Sequence, residues 1–452
     1  MRPVKTLEEL INILDPRPLR REELAELFVE TGKARDSARS QRSRLARILS
    51  KKDHSKVLFT GHRGTGKSTE LVKFCDDKQD EFIFVRLEMQ VDYDLRRLTV
   101  EHLLLLIVEA VLRKADDLKI KIDDQLLEDV HAWFSTTFQK AETKIKSSAT
   151  AKGGVSAKDS LWGALLGLIA ELRLDVQAGV ERVRSVETEE KRYLRDLADR
   201  CGELISQVEL KIFEKHASYL ILIVEDLDKA EIDVAEKIFA DSPATFSSLP
   251  IRAVFTAPVF LIYSPLWAIL DRHFMMVNMP MIQVNDREGK PYQDGREIIR
   301  KIIARRVDID SCVDEDALSL AIEKTGGILR HLFSVLTAAA EAVLDAPTPS
   351  EDQEQRIRVQ HVRIGLNELK TNLHRSLGPG MSERYRDIEA AQLFKALKDF
   401  KTARRAESDR IILILMQCEA LIEYNGETWH RAHPLMLEAL EEREAYEPSK
   451  AS

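Results

Sequence analysis

The run Gly61-His62-Arg63-Gly64-Thr65-Gly66-Lys67-Ser68, continued by Thr69, matches the spacing GxxxxGK[ST] at every fixed position. Glycines let consecutive backbone N–H groups curve around an anion, and a helix starting near Lys67 turns the positive end of its dipole toward the same point. A lysine and a hydroxyl at the end of such a turn add two more functions. Lys67 reaches the β- and γ-phosphates of a nucleotide, and the Ser68 hydroxyl ligates Mg²⁺. The implied chemistry is the binding of ATP and Mg²⁺, with Gly61 to Thr69 as the cradle.

A second group of residues fits that chemistry. The most apolar stretch, Tyr219-Leu220-Ile221-Leu222-Ile223-Val224, ends in Glu225-Asp226-Leu227-Asp228. Such a run suits a strand covered on both faces. Acids at its end stand where one carboxylate holds Mg²⁺ through water and its neighbour orients the attacking water. The commoner order is Asp first; here Glu225 leads, so the two roles stay open between Glu225 and Asp226. A following strand, Arg252-Ala253-Val254-Phe255, is expected to stop at Thr256-Ala257-Pro258, and Thr256 at its tip is placed to sense the γ-phosphate or the lytic water. Gly326-Gly327-Ile328-Leu329-Arg330 opens a helix from which Arg330 can reach back to the nucleotide. Lys67, Glu225, Asp226, Thr256 and Arg330 are thus the candidate catalytic residues, and Ser68, Glu225 and Asp226 the candidate metal ligands.

These groups need an α/β scaffold, and the pattern along the chain supplies one. A helical segment from about Leu7 to Leu49 comes first, its second half basic, with Lys33, Arg35, Arg39, Arg42, Arg44 and Arg47. Short apolar runs then alternate with amphipathic helices, the signature of a parallel sheet. Strands are expected at 57–60, 82–87, 219–224, 252–255 and 275–277, and helices at 68–74 and 95–114. The domain reading is an N-terminal helical segment over 1–55, an ATPase core over 56–290 with a helical insert at about 120–215, and a helical lid over 291–345. A linker at 346–352, with Pro347 and Pro349, leads to a winged-helix domain over 353–452. In that last part three helices precede a hairpin marked by Asn425-Gly426, a dipeptide that tolerates the positive φ of a tight turn. In the insert, Leu194, Leu197, Cys201, Leu204, Val208 and Ile212 share one helical face and read as a core stripe.

Bulk composition narrows the function classes. Of 452 residues, 44% are hydrophobic and 32% charged, which is ordinary for a globular protein of two or three domains. A net charge of −8 excludes a protein that coats nucleic acid indiscriminately, since that mode needs a large positive field. The four cysteines form no metal-ligand spacing and read as free thiols. No stretch reaches the roughly 18 apolar residues of a membrane span, and Met1-Arg2-Pro3-Val4-Lys5 lacks the apolar core of a signal peptide. The expected location is the cytoplasm, with no membrane partner.

With these motifs in this order, the chain resembles the AAA+ and STAND branch of P-loop NTPases. The resemblance is carried by Gly61 to Thr69, Ile221 to Asp228, the strand ending Thr256-Ala257-Pro258, and Gly326 to Arg330. The layout is similar to Orc/Cdc6 initiators and to bacterial STAND-like ATPases. It implies a sheet in which the strand bearing Glu225 is not adjacent in sequence to the P-loop strand. It also implies sensor roles for Thr256 and Arg330, and adenine held near Phe28-Val29. One departure concerns the arginine finger of AAA+ rings: between Asp228 and Thr256 the only arginine is Arg252. A slow switch fits that absence at least as well as a ring.

The C-terminal domain carries one basic cluster, Lys398, Lys401, Arg404 and Arg405, with Lys395 beside it. Such a patch offers phosphate contacts without sequence preference. The helix that follows, with Ile411-Ile412-Leu413-Ile414-Leu415-Met416, is mostly apolar and offers few side chains able to read base edges, which favours a protein-facing over a DNA-facing role. The expectation is therefore a regulatory ATPase whose nucleotide state controls homo-oligomerisation or partner binding. The resemblance alone extends this to antiphage defence. The alternatives are an Orc/Cdc6-like DNA-binding protein and a nucleotide-stabilised scaffold.

Overall fold

In the computed structural model, the described residues are 2–35, 40–51, 54–89, 94–132, 163, 167, 187–346, 355–378, 385–424 and 429–446. Five strands pair in parallel: β1 (Lys56–Gly61), β2 (Phe82–Glu88), β3 (Tyr219–Glu225), β4 (Arg252–Pro258) and β5 (Met275–Asn278), in the order β2-β3-β4-β1-β5. β4 lies between the P-loop strand and the strand bearing Glu225. β1 and β4 are buried at every residue, so both faces of each must be apolar, and period-two alternation sends alternate side chains to opposite sides. Val57, Phe59, Ile221, Ile223 and Val254 face one core, and Leu58, Leu220, Leu222, Ala253 and Phe255 the other.

Helices cover the two faces. Beside Val57 and Phe59 lie α2 (Gln41–Leu49) and α3 (Lys67–Lys78), through Leu45, Ile48, Leu49, Leu71 and Phe74. Against the opposite face pack α4 (Val100–Asp117) and α5 (Glu187–His216). In α5, Leu197, Cys201, Leu204, Val208 and Ile212 are all fully buried, so that stripe faces the core. Most of the expected insert, the linker from Pro347 to Asp352, and Asn425-Gly426 lie outside the described residues.

Three expectations need correction. The N-terminal segment is not one helical run: after α1 (Leu7–Ile13) the chain breaks at Pro16 and Pro18 and proceeds through single turns, at Arg21–Glu23, Leu24–Leu27 and Lys33–Arg35, before α2. The helix expected from Leu95 opens instead as a separate 3₁₀ turn, Leu95–Arg97, ahead of α4. β4 does not stop at Thr256 but continues to Pro258, because Thr256, Ala257 and Pro258 stay in register with Phe59, Thr60 and Gly61 of β1. Arg252, the sole arginine between Asp228 and Thr256, is no finger reaching outward. It is 1% exposed, donates to Glu209 Oε1 at 2.8 Å and to the Leu49 and Lys51 carbonyls, and lies over the Tyr219 ring at 3.9 Å.

Beyond β5 come α6 (Gln293–Ala304), α7 (Glu315–Lys324) and α8 (Leu329–Leu344), the helices expected as a lid. α9 (Val359–Ser376) packs along α8, close enough that a Cβ on Gly365 would stand 2.6 Å from the Val335 carbonyl oxygen. α10 (Ala390–Lys398) and α11 (Arg410–Gln417) precede an antiparallel hairpin, β6 (Leu421–Tyr424) and β7 (Trp429–Ala432), followed by α12 (Pro434–Tyr446). Arg404 exchanges backbone hydrogen bonds with His430, adding a short third pairing to the hairpin. Among the described residues no helix is long and apolar enough to cross a membrane.

Candidate nucleotide site

The turn after β1 has the shape its glycines allow. Gly61, Gly64 and Gly66 all adopt positive φ, the last two at 75° and 93°, where a Cβ is strained. Gly64 also lies against the start of α8: a Cβ there would meet the Arg330 Cβ and Ile328 Cγ2 at 3.0 Å. Gly66 ends the turn, and α3 starts at Lys67, so the unpaired N–H groups and dipole of its first turn face the concavity.

Lys67 occupies this turn from inside. It is 4% exposed; its Nζ donates to the Gly61 and His62 carbonyls at 2.8 Å each and pairs with Asp228 Oδ2 at 2.7 Å. Burial pulls the ammonium below its usual range, while Asp228 pulls it back up. Burial alone would raise the Asp228 carboxyl, yet Lys67, Lys229 and Arg63 together hold it below the usual carboxylate value. Asp228 was not among the expected site residues. Its signal was present in Glu225-Asp226-Leu227-Asp228: Asp226 takes a positive φ of 70°, and the turn at Leu227–Lys229 brings the third acid back to the lysine.

Glu225, the last residue of β3, is buried and hydrogen-bonded to Ser68. Arg86 on β2 donates to Glu225 Oε1 through Nε at 3.0 Å. Burial raises the Glu225 carboxyl, and Arg86 opposes that rise. Asp226 lines the cavity and pairs with Lys229 at 2.6 Å. Ser68, Glu225 and Asp226 therefore form an all-oxygen donor set, which suits the hard cation Mg²⁺. Among the described residues no cluster of three His, Cys, Asp or Glu makes a protein-only metal site.

The arrangement yields a prediction. Replacing Arg86 with alanine removes the cation that keeps Glu225 ionised, so its carboxyl titrates higher still. Mg²⁺-dependent nucleotide affinity should fall roughly tenfold at neutral pH, from about 1.5 kcal/mol for one charge-assisted bond. Because the proton on Glu225 causes the loss, raising the pH should recover it, which titration calorimetry at two pH values measures.

The other expected residues divide between the cavity and its supports. The cavity is lined by Gly64 to Thr69, Asp226 and Arg330, and closed on its apolar side by Leu19, Phe28, Val29 and Phe333. Arg330, second residue of α8, stands beside the Lys67 ammonium and depresses it further. Gly61, His62 and Arg63 form the back of the turn, where Arg63 donates to the Lys229 carbonyl at 2.8 Å. Thr256 is fully buried two residues short of the β4 end, with its Oγ1 unpaired among the described residues, so it sits inside the strand and not at its tip. Arg35, expected on a basic helix surface, is buried in the cavity wall. It donates to Thr31 Oγ1 at 2.8 Å and to the Thr65 carbonyl at 2.6 Å, bracing the turn from the N-terminal segment.

The basic cluster sits away from this cavity. Lys398 ends α10, Lys401 follows it, and Arg404 lies over the Phe400 ring and 3.8 Å from Asp399. Arg405 adjoins the hairpin near Tyr263 and His430. In α11, Ile412 to Met416 are all buried, so that helix spends its apolar residues on the core.

No protein-family model matches the sequence, and no curated protein matches it. Solved structures similar to the chain include a Walker-type ATPase of Pyrococcus abyssi, at 15% identity and TM-score 0.38, covering 95% of this chain and 99% of that one. The ORC2 protein of Aeropyrum pernix, in ADPNP–ADP complexes, aligns at 12% identity and TM-score 0.39, covering 98% of both chains. The ORC1 protein of the same organism, in complex with DNA, aligns at 12% and TM-score 0.37, covering 96% of both. By its own strand order, glycine turn and buried lysine, the chain has the α/β fold of a P-loop NTPase.

Proposed function

We propose that the chain binds Mg-ATP at the Gly61–Thr69 turn and hydrolyses it slowly, as a regulatory ATPase of the AAA+/STAND kind. The observation that carries this reading is the Lys67 ammonium, buried at a helix N-terminus between two turn carbonyls and Asp228, with Ser68 bonded to Glu225 beside it. Mg²⁺ bound by Ser68, with Glu225 and Asp226 through water, would neutralise charge on the phosphates. Glu225 and Asp226 orient water, Arg330 reports the phosphate state to α8, and Phe28 and Val29 cover the base. Thr256, with its buried Oγ1 unpaired among the described residues, senses the phosphate or the lytic water.

Nucleotide state would then govern self-association or a protein partner. What supports this reading is that the turn touches two further elements, with Gly64 against Arg330 of α8 and His62 against Glu423 of the C-terminal hairpin. Size measurement by light scattering, with and without Mg-ATP, tests it; an unchanged mass in every nucleotide state would sink the switch. The DNA-binding alternative is favoured by the Lys398, Lys401, Arg404 and Arg405 cluster. It requires salt-dependent duplex affinity that those four neutralisations abolish. Service in antiphage defence rests on the family resemblance and is tested by plaque counts with wild type and Lys67→Ala. The cytoplasm is the compartment this reading requires.

A further inference from the structure

The second residue of the glycine turn does not face the cavity. His62 is 2% exposed, and its Nε2 accepts a hydrogen bond from the backbone N–H of Glu423, on the C-terminal hairpin, at 2.8 Å. Accepting at Nε2 puts the ring proton on Nδ1, where it has no partner among the described residues. Burial holds this imidazole far down, at about 3, so it stays neutral at any ordinary pH. Two neutral partners therefore join the P-loop to a strand 361 residues further along the chain.

The Glu423 side chain is just as enclosed, and its surroundings are unusual for a carboxylate. It is 1% exposed; Oε2 accepts from the Tyr263 hydroxyl at 3.0 Å and Oε1 from Asn278 Nδ2. Asn278 Oδ1 in turn accepts from Thr60 Oγ1 at 3.2 Å, so a second path leads to the residue just before the glycine turn. Across the hairpin, His430 accepts from the Ala406 N–H at Nδ1, which leaves Nε2–H to donate to the Tyr263 oxygen at 2.7 Å. Among the described residues the hydrogen-bond partners of the Glu423 carboxylate, Tyr263 and Asn278, are neutral donors. Arg405 acts on Tyr263 and His430 and not on Glu423. A buried carboxylate without a cation favours its protonated form.

Lys67 makes this contact matter. The ammonium holds the Gly61 and His62 carbonyls only until a phosphate draws it away. His62 is then held by Thr65, whose Oγ1 donates to its carbonyl at 3.0 Å, and by the hairpin.

We propose that the hairpin is a proton-gated brace on the phosphate turn, with Glu423 as its titrating positioning residue and His62 as its point of contact. The role rests on the nucleotide reading above and adds its regulation. Burial lifts the Glu423 carboxyl from 4.5 to about 7, with Tyr263 and Asn278 opposing the rise. The docked hairpin thus binds the proton more tightly than the undocked one. Docking is strongest below the undocked value and is lost as pH rises through the docked value. From pH 6 to pH 8 the docking equilibrium falls about tenfold. Weaker docking leaves residues 60–62 less organised, so nucleotide binds more weakly at the alkaline end.

Two measurements on the full chain test this, each comparing wild type with Glu423→Gln, which keeps the shape and neutral hydrogen bonds of the protonated acid. The first is amide exchange of the 421–424 peptide without nucleotide, corrected for intrinsic exchange. Wild-type protection should fall about tenfold from pH 6 to 8, and the variant's should stay flat. The second is Mg-ADP affinity over the same range. The nucleotide's own titration is common to both proteins and cancels, leaving a wild-type loss the variant does not show. His62→Ala should weaken affinity and remove its excess pH dependence, while His62→Gln, which keeps an acceptor, restores part of the affinity. Identical pH profiles for wild type and Glu423→Gln in both measurements would overturn the brace. Absence of nucleotide affinity at every pH would instead overturn the nucleotide reading, and exchange would still decide whether Glu423 gates the contact.

Discussion

Lys67→Ala should slow turnover by about 10²–10³ and weaken Mg-ATP affinity by about 10- to 100-fold. Each part has its own origin. Affinity falls because one charge-assisted bond to phosphate, about 1.5–3 kcal/mol, is gone, while the helix N-terminus and the turn amides remain. Turnover falls further, by about 10²–10³, because the lysine neutralises charge that builds on the γ-phosphate only as the bond breaks. The same change strips Gly61 and His62 of a donor and leaves Asp228 with Lys229 and Arg63 as its neighbouring cations. A folding control is therefore part of the measurement. With an intact circular-dichroism spectrum, single-turnover hydrolysis near wild-type rates would remove Lys67 from the mechanism.

Local and distant determinants separate cleanly in this chain. The P-loop, the five strands and the core stripe of α5 were legible because each depends on neighbours in sequence: a glycine spacing, apolar runs, a helical period. The N-terminal segment was misread where Pro16 and Pro18 break a pattern whose apolar spacing alone suggests a helix. Thr256 was misplaced because a Thr-Ala-Pro end looks like a stop, yet the parallel register with β1 carries the strand past it. Arg252 and Arg35 look like surface arginines in sequence. Their burial is set by carbonyls and a carboxylate supplied from distant segments. Glu423 was beyond sequence reasoning altogether, since Tyr263, Asn278 and His62 lie 160, 145 and 361 residues from it.

Asp228 holds the place at Lys67 that a bound phosphate would have to take. In the described structure its carboxylate is the counter-charge for the buried ammonium, at 2.7 Å. Asp228→Asn removes that charge and keeps the shape. Breaking a buried pair from one side costs about 3–5 kcal/mol, so nucleotide-free protein should unfold at a clearly lower temperature. Lys67, already lowered by burial, loses the influence that raises it and titrates lower still. For a lysine whose folded value is depressed, the penalty is full at low pH and fades as pH rises through that folded value. The variant should therefore regain stability on the alkaline side more steeply than wild type. Mg-ATP brings its own negative charge to the same ammonium, so saturating nucleotide should raise the variant's unfolding temperature more than it raises that of wild type. Thermal scans at several pH values, with and without Mg-ATP, decide the matter. Equal nucleotide shifts in both proteins would mean that phosphate does not replace Asp228 as the partner of Lys67, and the cradle would then hold its ligand by main-chain amides alone.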